Sequence, residues 1–205
     1  MRIYFMGICG TAMGNAALLA RAAGHEVLGA DQGIYPPMSD VLAGAGITVH
    51  AGYDAGRLEK LGPDLVVIGN AMSRGNPEVE WLLDAGTLAF TSLPAFLHDH
   101  VLQGRRNLVV AGTHGKTTTT SMTVVAMQHC HVDPSFAIGS ELNETGSNAH
   151  VGRGDVFVVE ADESDGTFLV LDSLVGIVTN VEPDHLNYWK TVEADRKSTR
   201  LNSSH

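Results

Sequence analysis

The sequence predicts an α/β protein, a Rossmann-like parallel-sheet unit followed by an incomplete P-loop unit, and three observations carry that expectation. Short apolar runs alternate with helix-compatible segments along the chain, the pattern of parallel strands joined by crossover helices. A glycine-bearing stretch, Gly7-Ile8-Cys9-Gly10-Thr11-Ala12-Met13-Gly14, follows the first apolar run, so the first unit reads as Rossmann-like. A second stretch, Gly112-Thr113-His114-Gly115-Lys116-Thr117-Thr118, follows another apolar run and opens a helix, so the second unit reads as a P-loop domain.

In the first unit, expected over residues 1–103, Ile3–Met6 reads as a strand, Asn15–Ala23 as a helix and Val27–Ala30 as the next strand. Ser39–Ala45 is a short helix, and Thr48–His50 and Leu65–Ile68 are strands. Pro77–Ala85 is a helix, with proline in the first turn where its missing N–H costs nothing. The polar break Gln103-Gly104-Arg105-Arg106-Asn107 marks a boundary. In the second unit, residues 107–194, Leu108–Ala111 is a strand and Thr117–Cys130 a helix. Asp155–Glu160 and Leu174–Thr179 are further buried-type strands. A complete P-loop sheet needs more strands than these, so the unit is expected to be unfinished at Ala194.

Composition narrows the classes. A net charge of −10 argues against broad nucleic-acid binding. No apolar run approaches the roughly 20 residues of a membrane-spanning helix, so membrane insertion is not expected. Two cysteines, Cys9 and Cys130, make no disulfide framework, and Met1 leads straight into a strand pattern without a signal peptide. Both features suit the cytoplasm. Residues 195–205, Asp195 to His205, continue no preceding pattern. They match one reading frame of a common sequencing adapter and read as a non-native tail.

The glycine stretch at 112–118 departs from G-x-x-x-x-G-K-[ST], because Val110 stands at the first glycine position. Its mechanics survive: backbone N–H groups at a helix N-terminus cradle phosphates, Lys116 neutralises the outer ones, and the Thr117 hydroxyl holds Mg²⁺. Glu160, at the carboxyl end of an apolar strand, supplies the hard oxygen that such a cation wants. Asp162, Glu163 and Asp165 follow it, and clustered acids of that kind are equally a solvated turn. His185, with Asp184 and Glu182, follows another strand in the same topological position. In the first unit Cys9 and Ala12 replace the second and third glycines of a dinucleotide fingerprint. The loop still suits a pyrophosphate, and Asp31 ends the next strand, where it can accept a bond from a sugar or base.

Gly112–Thr118, together with Glu160-Ala161-Asp162-Glu163-Ser164-Asp165 and Asn180-Val181-Glu182-Pro183-Asp184-His185-Leu186, resembles the Mur ligases of peptidoglycan synthesis. The resemblance covers residues 1–194. It implies a UDP-sugar-binding domain and a central ATPase domain, with the family's amine-binding third domain absent. Gly7–Gly14, Tyr35–Ser39 and Gly69–Pro77 resemble the branch that recycles the tripeptide L-alanyl-γ-D-glutamyl-meso-diaminopimelate. Glu160–Phe168 and Thr179–Leu186 resemble instead the branch that uses L-alanine. The change falls near Thr113–Met122, and a natural intermediate and a join of two genes both account for it. Both branches share UDP-N-acetylmuramate as acceptor. The resemblance implies that its lactyl carboxylate attacks the γ-phosphate of ATP to form an acyl phosphate, which an amine then converts to an amide.

By the same resemblance, Lys116, Glu160 and His185 are catalytic, and Thr117, Glu160 and His185 hold magnesium. Gly112, Thr113, His114, Gly115, Lys116, Thr117 and Thr118 bind ATP. Gly7, Cys9, Gly10, Thr11, Ala12, Met13, Asp31, Asn70, Ala71 and Asn148 bind the UDP-sugar. Two alternatives stay open: a fragment that binds substrates without turnover, and a nicotinamide-dependent oxidoreductase, which explains Gly7–Asp31 but leaves Gly112–Thr120 idle.

Overall fold

The computed structural model describes residues 1–142, 147–161 and 172–182. His185, Asp184, Asp162, Glu163, Asp165 and the tail 195–205 lie outside the described residues. The chain divides into two compact units, Met1–Phe96 and Leu97–His205. The division falls just ahead of a π-helical segment, His98–Leu102, which itself precedes the polar stretch Gln103–Asn107.

The first unit contains β1 (Arg2–Met6), α1 (Thr11–Ala22), β2 (Glu26–Asp31), α2 (Met38–Gly44) and β3 (Thr48–Ala51). It continues with α3 (Ala55–Leu61), β4 (Leu65–Ile68), α4 (Pro77–Ala85), β5 (Phe90–Ser92) and α5 (Leu93–Leu97). The strands form one five-stranded sheet in the order β3-β2-β1-β4-β5, parallel at every pairing. Apolar residues on both faces of the central strands follow from that topology, because helices cover a parallel sheet on both sides. Tyr4, Met6, Leu28 and Val66 pack against Leu58, Val79 and Leu82 from the helices. On β1, Phe5 meets Phe96 edge to face, with ring centroids 5.3 Å apart.

Helix α1 begins at Thr11 rather than at the expected Asn15. The Gly7–Gly14 stretch is therefore loop only as far as Gly10, and Thr11, Ala12 and Met13 form the first helical turn. Alanine-rich sequence propagates a helix back to the nearest residue with extended backbone, and Gly10 has that conformation, with φ −67° and ψ 143°. Helix α3 and strand β5 were not among the sequence expectations. Asp54 starts α3 by accepting the Gly56 N–H at 2.9 Å, an ordinary side-chain cap. Strand β5 is three residues long, too short for periodicity to mark it.

A buried ion pair ties three of these elements together. Glu78 on α4 has no exposed side-chain surface, and the Arg57 guanidinium on α3 donates to its Oε1 at 2.8 Å. The Tyr4 hydroxyl on β1 donates to the same carboxylate at 2.8 and 2.9 Å, and the Asp54 N–H donates at 3.2 Å. Burial pushes the Glu78 carboxyl upward, against the opposing pull of Tyr4, Asp54 and Arg57. The Tyr4 hydroxyl is raised by its own burial and by the neighbouring carboxylate. Removing the acid leaves a guanidinium and a phenol without their acceptor in the interior. Glu78→Ala is expected to cost about 3 kcal/mol of stability, readable as a shifted urea midpoint at unchanged slope.

The second unit contains β6 (Arg106–Ala111), α6 (Lys116–His129), β7 (Ser135–Leu142), β8 (Ser147–His150), β9 (Val156–Glu160) and β10 (Val175–Val178). Their order in the sheet is β10-β6-β9-β7-β8. Pairings among β10, β6, β9 and β7 are parallel, but β8 runs antiparallel to β7. Strands β7 and β8 were not among the sequence expectations. Only residues 143–146 separate β7 from β8, and a parallel crossover needs a dozen or more. Val124, Phe136, Ile138 and Val158 form the core between α6 and the sheet. Among the described residues, no helix is long and apolar enough to cross a membrane.

Candidate functional site

In the first unit, strand order reverses between β1 and β4, because β2 and β3 lie to one side and β4 and β5 to the other. Ligands of open parallel sheets bind outside the carboxyl ends of the strands at such a point. The loop after β1 and the loop after β4 meet there: the Gly69 N–H donates to the Met6 carbonyl at 3.2 Å. Gly7, Cys9, Gly10, Asp31, Asn70 and Ala71 are thereby gathered at one end of the sheet. Gly10 caps α1 without a side chain, so the first N–H groups of that 12-residue helix retain their capacity for an anion.

Asp31 ends β2, and both its carboxylate oxygens already hold backbone. Oδ2 accepts the Cys9 N–H at 2.9 Å and Oδ1 the Gly33 N–H at 3.0 Å. The acid therefore fixes the glycine loop after β1 as well as its own turn. Burial raises the Cys9 thiol, with a smaller contribution from the Asp31 charge. The Tyr53 hydroxyl is pushed up to about 12 by burial, then by the charges of Asp31 and Glu78. Tyr53 packs against the core that includes Leu28 and Ala30 of β2, although nothing in its sequence context marks it. Met13 is buried, with its side chain packed beside Gly69. Asn148 belongs to β8 in the second unit, where it is buried with a carbonyl oxygen that has no hydrogen-bond partner among the described residues.

In the second unit, β10, β6 and β9 lie side by side, and their carboxyl ends are Val178, Ala111 and Glu160. Register places Glu160 beside Val110, immediately before the glycine loop. The Thr117 hydroxyl, in the first turn of α6, donates to Glu160 Oε1 at 2.8 Å. The Gly139 N–H on β7 donates to Glu160 Oε2 at 2.8 Å. Lys116 Nζ folds onto its own loop and donates to the Gly112 carbonyl at 2.6 Å and the Thr113 carbonyl at 3.4 Å. The cap of α6 is Gly115, in left-handed conformation and without a side-chain bond. Its first N–H groups, at Lys116, Thr117 and Thr118, thus point out of a 14-residue helix toward the mouth of the loop.

The turn after β10 braces that loop. Thr179 Oγ1 donates to the His114 carbonyl at 2.6 Å. The Asn180 carboxamide takes the His114 N–H at 2.9 Å and gives a bond to the His114 carbonyl at 3.3 Å. The Glu182 N–H donates to Thr113 Oγ1 at 3.1 Å. Gly112 has φ +133°, and a Cβ there would collide with Thr179 Oγ1, so only glycine fits. Of the residues the sequence singled out, the structure brings together Gly112–Thr118 and Glu160. It adds Gly139, Thr179 and Asn180. The sequence offered no signal for Gly139, and for Asn180 only its place in a motif. Asn180→Ala is expected to speed hydrogen exchange at the His114 amide roughly tenfold, the loss of about one hydrogen bond's net stability; an unchanged rate removes Asn180 from the brace.

With this geometry established, the comparisons are specific. The family model "Mur ligase family, catalytic domain" matches residues 2–104, and the model "Mur ligase middle domain" matches residues 110–199. The chain belongs to the Mur ligase family. It is 47% identical over 204 residues to the UDP-N-acetylmuramate--L-alanyl-gamma-D-glutamyl-meso-2,6-diaminoheptandioate ligase of Escherichia coli K12, covering 96% of this chain and 44% of that protein. It is 48% identical over 204 residues to a UDP-N-acetylmuramate--L-alanine ligase of Rhodococcus opacus, covering 94% of this chain and 38% of that one. The solved tripeptide ligase named from Neisseria meningitides superposes with TM-score 0.91 at 36% identity, over 98% of this chain and 67% of that one. The UDP-N-acetylmuramate-alanine ligase of Thermotoga maritima gives TM-score 0.90 at 28% identity, over 99% of this chain and 47% of that one. The chain spans less than half the length of the two curated relatives.

Proposed function

We propose that this chain supplies the acceptor-binding and ATP-binding parts of a ligase. The ligase joins the lactyl carboxylate of UDP-N-acetylmuramate to an amine, in peptidoglycan synthesis or recycling in the cytoplasm. The observation that carries the reading is the Thr117 hydroxyl and Glu160 carboxylate 2.8 Å apart, at the mouth of a glycine loop that opens a long helix. Two hard oxygen donors beside a phosphate cradle suit Mg²⁺, which takes one or two protein ligands and fills its shell with phosphate oxygens and water. Thr117 and Glu160 would hold that ion, which when bound supplies charge neutralisation for the triphosphate. His185 is proposed as a further ligand on its place in the family motif alone.

The chain's own contribution is positioning. Lys116, which now bonds loop carbonyls, turns outward to the phosphates when a nucleotide arrives. The N–H groups at the start of α6 orient the same oxygens. In the first unit, the loop after β1 and the N-terminus of α1 take the diphosphate, with Asp31 holding that loop in shape. Asn70, Ala71 and Asn148 are proposed to contact the remainder of the acceptor. The acyl phosphate forms when the acceptor carboxylate attacks the γ-phosphorus and the bond to the departing ADP breaks, and the amine then displaces phosphate with loss of a proton to form the amide. The names of the relatives support the acceptor, since both carry UDP-N-acetylmuramate. They leave the amine open between L-alanine and the tripeptide, because the two identities are 47% and 48%.

Two substitutions in a full-length ligase carrying these residues test the reading. Lys116→Ala is expected to lower ADP release, assayed with UDP-N-acetylmuramate and either amine, by at least about a hundredfold; turnover at the unaltered rate refutes it. Asp31→Ala is expected to weaken UDP-sugar binding about tenfold through loss of two charge-assisted hydrogen bonds, one in the loop after β1 and one in its own turn, with ATP affinity intact. Calorimetric titration with each nucleotide separately reads the difference.

A further inference from the structure

Strand β7 contributes a residue that neither motif contains. The Gly139 N–H points at Glu160 and donates to Oε2 at 2.8 Å, while the Thr117 hydroxyl donates to Oε1 at 2.8 Å. The carboxylate is thus held at both oxygens from two different elements, and its plane is fixed. A Cβ at position 139 would lie 3.0 Å from Oε2, 3.3 Å from Thr117 Oγ1 and 3.4 Å from Oε1. Residue 139 therefore faces the carboxylate and the hydroxyl together. Its backbone shows no positive φ that would by itself demand glycine. The position is also exposed, so packing in the core does not exclude a side chain there. Among the described residues, the three atoms nearest to such a Cβ all belong to Glu160 and Thr117.

We infer that Gly139 is the positioning residue of the cation site: its N–H aims the Glu160 carboxylate, and its missing side chain keeps open the space in which the ion sits. This rests on the magnesium–nucleotide reading above and deepens it. The physical reason is the one that governs outer partners of metal ligands generally. A carboxylate left to rotate presents its lone pairs to the ion only part of the time, and a group that fixes its plane raises affinity without touching the metal. A methyl at 139 moves the carboxylate and the Thr117 hydroxyl by a few tenths of an ångström. Mg²⁺ tolerates that poorly, because it demands near-octahedral oxygen geometry at short distance. The phosphate loop does not contact residue 139 in the same way: its N–H groups belong to α6 and residues 112–115, and its brace comes from Thr179 and Asn180.

The test is titration of the chain with a non-hydrolysable ATP analogue, with magnesium and then with EDTA. The gain in affinity on adding magnesium is expected to fall about tenfold or more in Gly139→Ala, while affinity in EDTA stays at its original value. Loss in both arms, or in neither, overturns the inference. In the double variant with Glu160→Gln the two losses are expected not to add, since both act on one carboxylate; additive losses overturn it equally. A measurement on the unaltered backbone guards against a variant that does not fold. The Gly139 amide resonance is expected to shift when magnesium and analogue are added, and to stay fixed in Glu160→Gln; a resonance indifferent to magnesium overturns the inference. If the unaltered chain shows no gain from magnesium at all, the cation-site reading fails first and this inference with it.

Discussion

The carboxylate of Glu160, held at one oxygen by the Thr117 hydroxyl and at the other by the Gly139 N–H, is the contact on which the geometry of the second unit's candidate site depends. It joins the first turn of α6, the end of β9 and the middle of β7 into one rigid corner. An acid at that point without those two donors would rotate freely and carry a solvation shell of its own. With them it has a fixed plane beside the mouth of the phosphate loop, so little reorganisation is needed when charge arrives. The three elements come from separate stretches of chain, and parallel register alone brings them together: β6 pairs β9 with Val110 beside Glu160, and β9 pairs β7 with Ala137 beside Val159.

The glycine loop is stabilised differently from a standard P-loop, and the departure at Val110 explains how. Val110 is fully buried in β6, so the turn begins two residues later, at Gly112. The turn after β10 holds this loop, through Thr179 and Asn180 to the His114 backbone and through Glu182 to Thr113. The motif containing Asn180 and the glycine motif are therefore one structural device, although His114 and Asn180 stand 66 residues apart in sequence. The same economy holds in the first unit, where Asp31 spends both oxygens on backbone N–H groups of neighbouring loops. Its contribution to any ligand passes through the shape of the loop after β1.

Much of the fold was legible from periodicity. The strands at Ile3, Val27, Leu65, Leu108 and Val156 and the helices at Pro77 and Thr117 all lie where apolar runs and caps put them, within a residue or two. What escaped was short or locally ambiguous. Helix α3 has only Leu58 buried, and β5 is three residues long. Strand β7 reads as a plain polar–apolar mixture until it is seen lying against β9. The antiparallel β8 escaped because alternating strands and helices argue for crossovers, and only the shortness of the link between β7 and β8 argues otherwise. Helix α1 starts inside the glycine fingerprint, because the backbone passes into helix directly after the extended Gly10.

By itself the sequence determined the two-unit α/β organisation, the position of both glycine loops, and the placing of an acid at the end of a strand, which Thr117 meets. These follow from local chemistry: period, capping, and the requirement of phosphate for N–H groups and of a hard cation for oxygen. Tertiary structure alone decided which oxygen meets which donor. That Gly139 faces Glu160, that Asn180 grips His114, and that Asp31 holds Cys9 are consequences of strand order and register, which couple residues far apart in the chain. A one-residue slip of β7 against β9 would turn a side chain toward the carboxylate where now there is an N–H.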